Sequence, residues 1–140
     1  MPEAFDKVPF RVLLTGAALA LAAAAFVAVK AARDNSTRTD IAIKITGGDP
    51  DRAPQLFRRY GCAGCHTIPG IPGADGQTGA PLTALSKRLY IAGVLQNSPD
   101  NLVAWIVSPH RFSPQTAMPE TGITEQEAKD LAAYLYAHGS

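Results

Sequence analysis

The residues best placed to do chemistry are Cys62-Ala63-Gly64-Cys65-His66, two thiols three positions apart with an imidazole next in the chain. That spacing serves covalent haem attachment. The two sulfurs reach the vinyl positions on one edge of a porphyrin, and the histidine falls beneath the iron. These are the only cysteines of the 140 residues, and they stand too close together to staple a domain as a disulfide framework. Zinc needs four ligands, and only His110 and His138 remain to complete a set. A thioredoxin-like redox pair wants a βαβ setting that the sequence lacks. Beyond Met1 there is one methionine, Met118, in Thr116-Ala117-Met118-Pro119. A methionine is most often gap-filling core, but this one sits on a proline-bounded loop, where a ligand is presented. Met118 is therefore the expected second axial ligand, among the donors that haem iron accepts. His110, in Ser108-Pro109-His110-Arg111, is the competing candidate, and His138 reads as a cation favoured by the end of the last helix.

The elements that must position these groups are helical. Leu56, Phe57 and Tyr60 share a face over Asp51 to Tyr60, with Gly61 placed as the terminator, and this helix delivers the cysteines. Ile68 to Pro81, rich in Gly and Pro, reads as loop. Ser98-Pro99-Asp100-Asn101 opens a short helix with a capping serine and a proline at its first position; Leu102, Trp105 and Ile106 form its apolar face. Thr124 and Glu127 make a capping box for the last helix, and Ile123 with Ala128 supplies a staple. Its stripe is Ala128, Leu131 and Leu135, flanked by Ala132 and Tyr134, and Gly139 ends it. No strand ladder or internal repeat is evident, so the domain is expected to be all-α with long loops. So small a domain has trouble burying enough surface alone, and a large apolar cofactor supplies the missing core.

Val12 to Val29 is eighteen residues without a charge, about 27 Å as a helix and close to the thickness of a bilayer's hydrocarbon. A retained anchor is favoured over a cleaved signal, although Val29-Lys30-Ala31 is a passable cleavage site. The expected organisation is an anchor over 1–30, a flexible linker over 31–49 and a compact domain over 50–140. Inside the linker, Ile41-Ala42-Ile43-Lys44-Ile45 alternates like a strand, lying on its own domain in preference to docking on a larger partner. Thirteen Lys and Arg offset twelve Asp and Glu, and from Ala31 onward ten face ten. With no basic block, a nucleic-acid partner is excluded from the expectations.

The order of these features resembles that of the class I c-type cytochromes over Asp49 to Gly139: a helix into the cysteine motif, then Gly79-Ala80-Pro81-Leu82, a tryptophan helix, a Met-Pro loop and a closing Glu-rich helix with an aromatic pair. Leu85-Ser86-Lys87-Arg88 through Asn97-Ser98-Pro99-Asp100-Asn101-Leu102 to Trp105-Ile106 is similar to the cytochrome c domains attached to respiratory oxidases, particularly those fused to subunit II, here without the copper-binding β-barrel. The resemblance implies a small all-α class I cytochrome c domain around one covalent haem c, preceded by a single N-terminal transmembrane helix. It implies that Pro81 offers its carbonyl to Nδ1 of His66 and that Trp105 donates its indole N–H toward a haem propionate. Arg88 and Tyr90 are weaker propionate candidates, and Tyr60, Leu82, Leu102, Leu131 and Tyr134 pack on or near the haem.

The implied function is single-electron transfer in a respiratory chain, with no catalytic residue and no small-molecule substrate. The implied partners are a terminal oxidase and a quinol-oxidising complex, or either one. An electron-accepting subunit of a periplasmic dehydrogenase is the alternative, and a ligand-binding haem sensor or enzyme using His110 is third. Arg52, Arg58 and Arg59 either steer an acidic partner or form a solvated face. Lys30, Arg33, Arg38 and Lys44 outnumber Lys7 and Arg11, which by charge would put the C-terminal side in the cytoplasm. Family members receive their haem outside the cytoplasmic membrane, so the expected location is the inner membrane, single-pass, with the haem domain on the periplasmic face.

Overall fold

A computed structural model of the chain describes residues 10–139. Contacts divide the chain into two compact units, 1–36 and 37–140. Lys7, half of the N-terminal charge count, lies outside the described residues, as does the start of the expected anchor.

In the first unit, every described residue from Phe10 belongs to helix α1 (Phe10–Thr46). Ala and Leu dominate this stretch, both strong helix formers, and Lys30 pairs with Asp34 at 2.7 Å one turn on. Leu14, Leu19, Leu21, Phe26 and Val27 are exposed, Leu19 by 71%. A water-soluble helix would bury one stripe of such residues, whereas a helix apolar on all sides belongs inside a core or a bilayer. The helix is long and apolar enough to cross a membrane.

The second unit begins with the last turns of α1, and here the structure corrects the extended tether. Residues 31–46 are helical, including the strand-like Ile41–Ile45 segment. Adding a residue to an existing helix avoids the cost of nucleation, so a polar segment following an Ala-rich helix continues it. The isoleucine alternation is not the structural signal: Ala42 and Thr46, four apart, are buried, while Ile41, Ile43 and Ile45 are exposed. Gly48 then lies so close to α4 (Glu125–His138) that a Cβ would sit 2.0 Å from the Lys129 carbonyl oxygen.

The expected Asp51–Tyr60 helix is a 3₁₀ turn at Pro50–Arg52 followed by α2 (Ala53–Arg59), ended by Gly61 at φ +70°. Helix α3 spans Pro99–Val107, and the Ser98 hydroxyl accepts from the Asn101 N–H at 3.2 Å. Helix α4 has the capping box of Thr124 and Glu127, and Ile123 and Ala128 are both buried. A two-residue hairpin, β1 (Tyr90–Ile91) with β2 (Leu95–Gln96), corrects the expectation of no strand pairing. Ala92 and Gly93 turn it with positive φ. Two-residue strands leave too short an alternation to be recognised in sequence. Helix α4 is the hub, packing on α2, α3 and the 3₁₀ turn at Pro50–Arg52. Phe57, Leu102, Trp105, Ile106, Leu131 and Leu135 form the core with it.

Candidate haem-attachment site

Gly61 ends α2 in the left-handed region, the conformation that glycine adopts without steric cost. The chain then enters a 3₁₀ turn, Cys62–Gly64, closed by N–H bonds from Cys65 and His66 to the Cys62 carbonyl at 3.2 and 3.0 Å. Both thiols are free, Cys62 half-buried and Cys65 exposed. Burial pushes the Cys62 thiol above its ordinary pKa. The Gly79 N–H donates to the Cys65 carbonyl at 2.7 Å, and the Leu82 N–H to the Thr67 carbonyl at 2.8 Å, so loop 79–82 lies along the motif.

His66 faces that loop. Its Nδ1 lies 2.7 Å from the carbonyl oxygen of Ala80, which corrects the expected partner by one residue. The Pro81 carbonyl instead accepts from Arg88, whose Nη2 also donates to Thr83 at 2.8 Å. Arg88 is thus occupied with loop carbonyls. With Nδ1 donating to Ala80, the tautomer leaves Nε2 as the lone-pair nitrogen available to a metal.

The other expected residues are distributed around this core. Trp105 is buried, Tyr90 is exposed on β1, and Met118 is half-buried against the core, its N–H bonded to the Thr116 hydroxyl at 3.2 Å. His110 is exposed in the 3₁₀ turn Pro109–Arg111. His138 stacks on Tyr134 with ring centroids 4.3 Å apart, and its Nδ1 lies 3.2 Å from the Tyr134 carbonyl oxygen, in keeping with a role at the helix end. The Tyr60 hydroxyl donates to Glu127 at 2.8 Å. That bond pushes Tyr60 up, while Glu127, accepting from Thr124 and Tyr60, is held down at about 2. Arg52 and Arg59 are paired with Asp130 and Glu127 at 3.0 and 3.1 Å, so the arginine face is partly spent within the fold.

The donor set fits a haem c: two free thiols, an imidazole with one nitrogen held by a carbonyl, and a thioether on a loop. Space at the motif is reserved by glycine. A Cβ on Gly79 would lie 2.4 Å from Cε1 of His66, and one on Gly76 would lie 2.6 Å from the carbonyl carbon of Cys65.

Two residues of consequence escaped the sequence reading. Asp130 is fully buried on α4, where Oδ1 accepts from the Asp49 N–H at 2.8 Å and Oδ2 faces Nη1 of Arg52 at 3.0 Å. Asn97 ties three segments together. No periodicity marks either residue, because their partners are remote in sequence.

A small helical domain that offers a Cys-x-x-Cys-His turn with a carbonyl-fixed histidine defines a class, the haem-c-binding electron-transfer proteins. The sequence model of the cytochrome c family matches residues 50–138, and the chain belongs to that family. Membership implies covalently bound haem c, and Cys62 and Cys65 fit its attachment motif. Among curated proteins, the chain is 35% identical over 82 residues to "Cytochrome c oxidase subunit 2" of Alkalihalophilus pseudofirmus, covering 58% of this chain and 23% of the relative. It is 29% identical over 87 residues to the protein of the same name from Bacillus subtilis, covering 61% and 24%. The chain therefore spans about a quarter of the length of these relatives. No solved structure matches it significantly.

Proposed function

We propose that this haem electron-transfer protein is a membrane-tethered monohaem cytochrome that passes single electrons in a respiratory chain, as carrier to or subunit of a terminal oxidase. The observation that carries the reading is His66, pinned by the Ala80 carbonyl beside Cys62 and Cys65. Cys62 and Cys65 would hold a haem through thioethers, His66 would offer Nε2 to its iron, and Met118 would offer its sulfur. When bound, the haem supplies a one-electron couple whose potential the axial ligands set. With His66 and Met118 both serving as donors, the chain's own residues would leave no place for a substrate at the metal. Trp105 would direct its indole N–H toward a propionate.

Residues 1–30 are the anchor and 50–140 the haem domain, facing the periplasm from the inner membrane. The oxidase is favoured as partner because both named relatives are oxidase subunits. Tethering supports this role by raising the local concentration of the carrier near its partner.

Absorption spectra of the oxidised and reduced membrane protein test the site. The expected result is c-type bands plus the weak far-red band of methionine-to-ferric-iron charge transfer, with that band lost in Met118→Ala. A wild-type protein without the band overturns Met118 ligation and makes His110 the next candidate. Co-purification with a terminal oxidase supports the partner; co-purification with a periplasmic dehydrogenase in its place overturns it.

A further inference from the structure

Loop 79–83 is gripped from one side by a single guanidinium. The Gly79 and Leu82 N–H groups anchor its ends to the Cys65 and Thr67 carbonyls, but Pro81 has no N–H to offer. Arg88 supplies a further hold on either side of Leu82, with Nη2 donating to the carbonyls of Pro81 and Thr83. The residue immediately before this grip is Ala80, whose carbonyl faces Nδ1 of His66.

Arg88 is itself braced. Its backbone carbonyl accepts from Asn97 Nδ2 at 2.9 Å, and the same amide group donates to the Leu85 carbonyl at 2.7 Å. The Asn97 N–H donates to the Leu89 carbonyl at 2.9 Å. Asn97 Oδ1 accepts from the Tyr136 hydroxyl on α4 at 2.7 Å. Burial pushes the Tyr136 hydroxyl up to about 12, so it stays protonated and able to donate at neutral pH. Hydrogen bonds and short backbone steps therefore connect the hub helix to the carbonyl that orients the histidine.

We propose that Arg88, braced by Asn97 and Tyr136, is a positioning residue for His66: by fixing the Pro81 and Thr83 carbonyls it fixes the Ala80 carbonyl on Nδ1, and so sets the donor strength of the imidazole. This rests on His66 being the iron ligand. A carbonyl that accepts from Nδ1–H raises the basicity of the ring and orients it. A stronger imidazole donor favours the ferric form and lowers the reduction potential. Arginine suits the task because Nη2 carries two N–H bonds fixed in the guanidinium plane, one for each carbonyl, a geometry that a freely rotating lysine ammonium on a flexible stem does not hold.

The test uses the full-length holoprotein and the variants Tyr136→Phe, Asn97→Ala and Arg88→Lys, which all keep the charge. Their reduction potentials and the solvent-exchange rate of the His66 Nδ1 proton by NMR are measured beside the wild type. Loosening the brace raises the potential, with the one-electron equilibrium shifting about threefold, ~28 mV at 59 mV per tenfold. Exchange of the Nδ1 proton quickens by about tenfold, the same order as the loss of metal affinity when the outer partner of a ligating histidine is removed. Tyr136→Phe removes only one oxygen and keeps the test open where Asn97→Ala fails to fold.

Unchanged potentials and exchange rates in a wild-type background with normal c-type bands overturn the proposal and leave the electron-carrier reading intact. A lowered potential in Arg88→Gln, with the three charge-preserving variants unmoved, also overturns it and assigns Arg88 a charge contact with a propionate. Absence of a histidine-ligated spectrum in the wild type overturns both readings.

Discussion

At Gly79 the ring of His66 leaves room for a hydrogen and nothing larger. A methyl group there would lie 2.4, 2.7 and 2.9 Å from Cε1, Nδ1 and Nε2 of the ring. Gly79→Ala is expected to push the imidazole off the Ala80 carbonyl and lower the yield of correctly ligated holoprotein by on the order of tenfold, measured as haem absorbance per mole of purified chain. The motif was legible from residue types alone, since thiol, thiol and imidazole adjoin in the chain. The carbonyl that fixes His66 was not: Ala80 and Pro81 are indistinguishable as acceptors until the path of the loop is known. Asp130 is a second case, an acid with 0% exposure whose partners Asp49 and Arg52 lie about eighty residues earlier.

Helix α4 shows how far local rules reach. The Thr124 hydroxyl accepts from the Glu127 N–H at 3.2 Å, and the Glu127 carboxylate accepts from the Thr124 N–H at 3.2 Å, as the capping box required. Thr124→Ala is expected to destabilise the domain by about 1 kcal/mol, read as a lower denaturant midpoint. Glu127 also has a pH signature. Its pKa falls on folding from 4.5 to about 2, so its contribution to stability is complete above 4.5 and is lost as pH drops toward 2. Unfolding followed from pH 6 to pH 2 should show a shallower acid decline in Glu127→Gln than in the wild type. What sequence could not show is that the same carboxylate receives Tyr60 from the edge of the cysteine motif, tying α4 to the end of α2.

On the scale of the whole molecule, the stretch between apolar segment and domain carries the main correction. Thr37–Thr46 belongs with the domain and continues α1, and the chain leaves that helix through a Gly47-Gly48 turn seated on α4. Gln126 Nε2 donates to the Gly47 carbonyl at 3.2 Å, and the Asp49 N–H reaches Asp130. A chain begun at Thr37 behind a cleavable export signal is therefore expected to be soluble and to unfold with the same midpoint as the detergent-solubilised full chain. One begun at Asp49 loses the seat of Gly48 on α4 and should unfold at a lower temperature. Equal midpoints for the two truncations would show that the junction contributes nothing to domain stability.

The sequence by itself determined a set of features whose partners are neighbours in the chain: the thiol-thiol-imidazole turn, the Ser98 and Thr124 caps, the Gly61 stop and an apolar run of bilayer length. These depend on spacings of one to four residues, or on composition, and both are written in the chain. Tertiary structure alone decided which carbonyl holds His66, that Arg88 grips a loop, that Asp130 is buried, and that the presumed tether is helix. Each of those depends on groups brought together across the fold, or on a helix whose extension is favoured by what precedes it, and a pattern of residue types records neither.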